Sequence, residues 1–174
     1  MKKIIIGLML ATITSFSFAQ KDSVYVAKIV DDMEDKSYYV PSRKMICASD
    51  DKKTGFALSA FLTYKNDEIT INELKVKTVN IGSCDEKDEL IILFEDDSKI
   101  KLISWNEFNC KGDAWFNLSK SDKESLSKLK IKKIKVQNGR TFESFTKELT
   151  DDGDYFIQLF YATNNKKIKE VKEK

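Results

Sequence analysis

The chain has 174 residues, 41% apolar and 33% charged, a balance that excludes a membrane-embedded or disordered protein and fits one soluble globular domain. Histidine is absent, which removes the commonest general base and a common metal ligand, and a single proline excludes proline-rich architectures. The formal charge of +2 is too small to supply the basic field that nonspecific nucleic-acid binding needs.

Residues 1–19 read as a cleaved signal peptide. Lys2 and Lys3 precede an apolar run from Ile4 to Ile13, and Ser17-Phe18-Ala19 places small residues where a signal peptidase reads them. The run is too short to span a membrane as a helix, and no later run is long enough to do so. No cysteine stands at the cleavage point, so the signal lacks the attachment residue of a lipoprotein. Cleavage removes two lysines and leaves 28 basic residues against 28 acidic ones, an electrically neutral chain bound for the periplasm or the exterior. Nucleic acid is therefore not an expected partner.

Beyond the signal, residues 20–163 read as one β-rich domain with no internal repeat and no linker. Strands rich in β-branched and aromatic residues are predicted at 24–30, 44–48, 56–64, 69–79, 89–95, 99–105, 131–136, 141–145 and 155–162. Acidic turns at Asp50-Asp51, Asp85 to Glu89, Glu95 to Asp97 and Asp151 to Asp154 lack EF-hand spacing and fit the local hydrogen bonding of turns better than calcium ligation.

Two hairpins are expected. Leu90 to Phe94 turns into Ile100 to Ile103, either through Asp96-Asp97-Ser98 with Phe94 opposite Ile100, or through a two-residue loop with Leu93 opposite Ile100; apolar pairing does not choose between them. The second runs from Ile131 to Val136, turns at Asn138-Gly139 and returns through Arg140-Thr141-Phe142. Between them, Ser121-Asp122-Lys123-Glu124 has the form of a capping box and predicts one short helix over 121–129. Residues 155–162 are apolar on both faces of a strand, which predicts a central strand. The lysine-rich tail at 164–174 is expected to be mobile or a frayed helix.

Cys47, Cys84 and Cys110 cannot all pair internally. In the three-residue register of the first hairpin Cys84 faces Cys110, and in the two-residue register they miss by one, so a Cys84–Cys110 disulfide is expected, with Cys47 a buried free thiol. Closing that loop stabilises the fold by roughly 3 to 4 kcal/mol in the chain-entropy description.

The catalytic signals are thin. Ser98 with Lys101 and Ser125 with Lys128 fit S-x-x-K, and Lys53-Thr54-Gly55 matches the K-T-G element of penicillin-recognising serine enzymes, but K-T-G precedes both serines and no S-D-N element exists. Cysteine spacings without histidine do not build a zinc site. No catalytic residue, metal or cofactor is assigned. Lysines 128, 130, 132, 133 and 135 fit the protection of a sheet edge better than a polyanion site.

Aromatic residues offer the remaining lead. Trp105 closes a strand and is expected in the core, whereas Phe108, Trp115 and Phe116 flank Cys110 and Gly112 and form a candidate ligand-binding cluster. The expected fold is a two-layer antiparallel β-sandwich or partly open barrel. The expected function is noncatalytic binding of a protein, a glycan or a small apolar ligand in the envelope; a carboxylate- or calcium-dependent hydrolase of envelope glycans is the alternative.

Overall fold

The structure, a computed structural model, describes residues 23–31, 33 and 36–172, so the signal-peptide segment lies outside the described residues. The described chain is mostly β, with eleven strands and two helices. β1 (Val26–Asp31) and β2 (Lys36–Pro41) form an antiparallel pair. β3 (Met45–Ala48), β4 (Gly55–Lys65), β5 (Glu68–Val79) and β8 (Asp113–Asn117) form a four-stranded antiparallel sheet in the order β3-β4-β5-β8. A second four-stranded sheet, ordered β10-β9-β6-β7, contains β6 (Glu89–Phe94), β7 (Lys99–Ile103), β9 (Ile131–Gln137) and β10 (Ser144–Glu148).

Alternation builds one core from both four-stranded sheets. Phe56, Leu58, Ala60 and Leu62 of β4 and Leu74 and Val76 of β5 are buried with Leu90 and Ile92 of β6, Ile134 and Val136 of β9, and Phe116 of β8. This is the expected β-sandwich-like arrangement. The long β4–β5 hairpin closes through Asn66-Asp67, both at positive φ, the backbone that matches a two-residue turn to strand twist. A β-bulge follows, where Phe61 faces Glu73 but Leu62 faces Ile71. It keeps Leu62 and Ile71 in the core while Phe61 stands in solvent.

Both predicted hairpins exist, with different turns. The first loop has three residues but lies one residue earlier than expected: the Phe94 N–H donates to the Ser98 carbonyl, and Asp97 takes the left-handed conformation that completes this turn. Ile92 consequently faces Ile100 and Leu90 faces Leu102, with all four buried. In the second, the Asn138 N–H donates to the Glu143 carbonyl across a four-residue loop, and β10 begins at Ser144 rather than Thr141. Tertiary contacts override the local Asn-Gly preference. The Asn138 side chain is buried, accepting from the Arg140 and Thr141 N–H groups and donating to the Cys84 carbonyl.

The short helix α1 (Lys120–Lys128) is present, but its capping box is Ser119 with Asp122, two residues before the expected one. The predicted strand 155–162 is a second helix, α2 (Tyr155–Asn164). Tyr155, Phe156, Leu159, Ala162 and Thr163 are buried, the spacing of one helical face. Gly153 permits its entry: a Cβ there would stand 2.5 Å from the Ile131 carbonyl oxygen. α2 packs on α1 and over β1 and β5. Where the tail was expected to be mobile or a frayed helix, β11 (Ile168–Lys172) pairs parallel with β1, giving the order β11-β1-β2.

Candidate functional site

The two cysteines meet as expected, though by a different route. β6 and β7 pair only to Glu89 and Ile103, and the ladder continues by one bond from the Ser104 N–H to the Asp88 carbonyl. The chain then leaves β6: the Trp105 N–H donates to the Trp115 carbonyl at the edge of β8. It rejoins at Asp85 and Asn109, which exchange both backbone hydrogen bonds and set Cys84 beside Cys110. The Cys84–Cys110 disulfide closes there, and Cys47 is a buried free thiol on β3 whose proton affinity burial raises to about 12.

That detour decides the aromatic residues. Trp105 is 54% exposed instead of buried, because it falls on the outward parity of β7, whose inward parity runs through Ile100 and Leu102 to Ser104. Its ring lies 6.4 Å from that of Trp115, which in turn meets Phe61 edge-on at 5.7 Å. Lys75, the cross-strand neighbour of Trp115 on β5, places its ammonium 4.9 Å from the Trp115 ring centre and 3.3 Å from Asp113. Lys77 also faces Asp113, at 3.6 Å. The result is an open aromatic face on the outer side of the β3-β4-β5-β8 sheet.

The three candidate ligand-binding residues separate. Trp115 joins this face. Phe116, next in sequence on β8, points the other way and is fully buried in the core. Phe108 is exposed on the disulfide loop, with the Arg140 guanidinium 4.7 Å from its ring. Phe61 and Trp105, absent from the candidate cluster, complete the face. Alternation along β4 carries the signal for Phe61, since Phe56, Leu58, Ala60 and Leu62 occupy the opposite parity.

Beneath the disulfide lies a polar counterpart. Asp85 and Asp88 are buried, and Asp85 Oδ2 and Asp88 Oδ2 find no N–H or hydroxyl donor among the described residues. Asp88 Oδ1 accepts from the Gly139 and Glu86 N–H groups, and the Asp88 N–H donates to Ser104 Oγ. Burial first, then the hydrogen bond and charge of Asp88, push the Asp85 carboxyl up to about 7. The acidic turns elsewhere act locally: Asp51 accepts from Ser49 and Lys53, and Asp96 from Ser98. Among the described residues no cluster of three acidic or cysteine side chains is placed to hold a metal ion, and no helix is long and apolar enough to cross a membrane.

No curated protein and no solved structure matches the chain. One family model does, over residues 5–174. Its description is that of a lipoprotein, whereas no cysteine stands between Met1 and Cys47, the buried thiol of β3; family and sequence reading differ on this point. Family and disulfide together support a surface or secreted protein. With nearly the whole length matched, the chain belongs to the hypothetical lipoprotein (MG045) family.

Proposed function

We propose that the protein is an exported, noncatalytic binding module that holds an envelope component on the aromatic face of Phe61, Trp105 and Trp115. The observation that carries this reading is the exposure of Trp105, in ring contact with Trp115, on a sheet whose other side is already the core. Large rings left in solvent cost apolar hydration that a folded chain ordinarily recovers by burial, and clustered rings of this kind mark binding surfaces. The close carboxyl pair Asp85–Asp88 sits under the disulfide loop away from solvent, an environment that favours packing over hydrolysis as its role.

Co-sedimentation of the purified protein with insoluble bacterial envelope material tests the proposal. Retention of the wild type and loss of retention in the double variant Trp105→Ala/Trp115→Ala, with thermal unfolding still cooperative, supports it. Equal retention of both proteins overturns it.

A further inference from the structure

Resting on the reading of the aromatic face as the contact surface, we infer that this face is one end of a longer track that takes an uncharged, chain-like glycan. Phe61 belongs to two neighbourhoods at once. On one side it touches Trp115; on the other it lines a cavity of about 290 Å³ with Tyr38, Tyr39, Val40 and Tyr64, where β2 lies against β4. β3 pairs with β4 only over Gly55 to Leu58, which leaves the far half of β4 beside β2. Tyr39 and Tyr64 stack there with ring centres 4.6 Å apart. Phe61 has the outer parity of β4 and Tyr64 the core-side parity of Leu62, so their rings meet around the edge of β4 that β3 leaves free. With Tyr38 and Trp105, each also about half exposed, they mark a path from β2 around that edge to the disulfide loop.

The chemistry of the track selects its occupant. Lys75 and Lys77 are both held by Asp113, Glu73 stands opposite Phe61, and Lys65, on the same parity of β4, faces Glu68, so these three cations are met by three anions. Neither a polyanion nor a polycation is favoured by such a field. Trp115 is tilted 45° from Trp105 and 71° from Phe61, a faceted surface unsuited to one flat polycycle. A series of pyranose rings on flexible linkages offers apolar C–H faces to successive facets and hydroxyls to the Tyr38 and Tyr39 phenols and to Ser37, which also lines the cavity. A protein partner anchored by a large side chain would call for a fully desolvated socket, whereas the rings of this track stand half exposed.

Fluorescence titration of the full exported chain with neutral β-glucan and N-acetylglucosamine disaccharides and hexasaccharides tests the inference, with hexagalacturonate and phosphatidylglycerol vesicles as charged probes. One neutral hexasaccharide is expected to bind about tenfold or more tighter than its disaccharide, since a longer chain engages both ends of the track. Tyr64→Ala should abolish that length dependence and spare disaccharide binding, while Trp105→Ala should weaken both. Equal affinity for the two lengths, unchanged in Tyr64→Ala, overturns the track and leaves the aromatic face standing. Envelope retention that depends on Trp105, without binding of any neutral oligosaccharide, overturns the glycan class alone. Preferential binding of hexagalacturonate or of vesicles overturns the uncharged ligand.

Discussion

The aromatic face and the carboxyl junction under the disulfide are both built on the same short detour, the chain from Ser104 to Asp113, and they invert the usual distribution of polarity. On the face, Trp105 and Phe61 are apolar and half exposed; in the junction, Asp85 and Asp88 are ionisable and buried. Each departs from ordinary packing, but only the junction is tied down: Asn138, Gly139, Ser104 and Asn109 all bond into it. Phe61 and Trp115 are carried by strands whose stability is secured on their inner side, and Trp105 by the segment after β7, tied to β8 through the bond from its N–H to the Trp115 carbonyl. A surface of this kind can lose its side chains without loss of fold, whereas the junction cannot lose its partners without loosening three loops.

The sharpest contrast is between neighbours on β8. Phe116 is fully buried and Trp115 is not, so Phe116→Ala should cost about 3 to 5 kcal/mol through lost burial and the cavity left behind. Urea unfolding of the two alanine variants measures the gap, and a Phe116→Ala cost as small as that of Trp115→Ala would erase the distinction between core and face. Removing the disulfide by the pair Cys84→Ser/Cys110→Ser comes next, at roughly 3 kcal/mol. Peptide mapping without reduction should recover Cys84 linked to Cys110 and leave Cys47 as a slowly alkylated thiol, since a group raised to about 12 carries little thiolate near neutrality.

The junction also predicts a pH dependence. In the unfolded chain Asp85 titrates as an ordinary carboxyl, and in the folded state burial and Asp88 raise it to about 7. The folded state therefore binds the proton more tightly. Its contribution to stability is complete below about pH 4 and is lost as pH rises through 7. The loss should reach about 2 kcal/mol once solvent screening is allowed for. Thermal unfolding across that window should show the midpoint falling with pH, and Asp85→Asn should flatten the fall and exceed the wild type in stability at pH 8. An unchanged slope in Asp85→Asn would separate the carboxyl pair from the stability of the junction.

Much of the sandwich was legible in alternation, because β6 and β7 each bury one parity, Leu90, Ile92 and Phe94 on one and Ile100 and Leu102 on the other, whereas in β9 a register shift brings Ile131 to the core beside Ile134 and Val136 of the opposite parity. The misreadings share a cause in long-range contacts. Tyr155 to Ala162 is apolar on both faces of a strand, yet it has one β-branched residue, Ile157, and lies between α1 and two strands that bury the helical set instead. Asn138-Gly139 carries a strong local turn signal, but the buried junction uses both residues for its own hydrogen bonds. In the tail, β11 draws its pairing from β1 rather than from apolar content, which Ile168 and Val171 alone supply. The disulfide was legible although its hairpin register was not: Asp85 and Asn109 restore the pairing that the detour after Ser104 interrupts.

Trp105 stands where that detour begins, on the proposed binding face, and its removal carries the smallest stability effect. Strand alternation from Ile100 and Leu102 points to a buried ring at position 104 or 106, and Ser104 is indeed the buried residue, small enough to sit against Asp88. Trp105 falls on the other parity and turns toward Trp115. Its removal should take away one ring contact and the half of the side chain that is covered, so Trp105→Ala should cost about 1 to 2 kcal/mol, well below Phe116→Ala. Acrylamide should quench Trp105 in a Trp115→Phe background more strongly than Trp115 in a Trp105→Phe background, because Trp115 is shielded by Phe61 on one side and Lys75 on another. Equal protection of both indoles, with a core-sized loss of stability in Trp105→Ala, would turn the aromatic face back into packing and remove the surface on which binding rests.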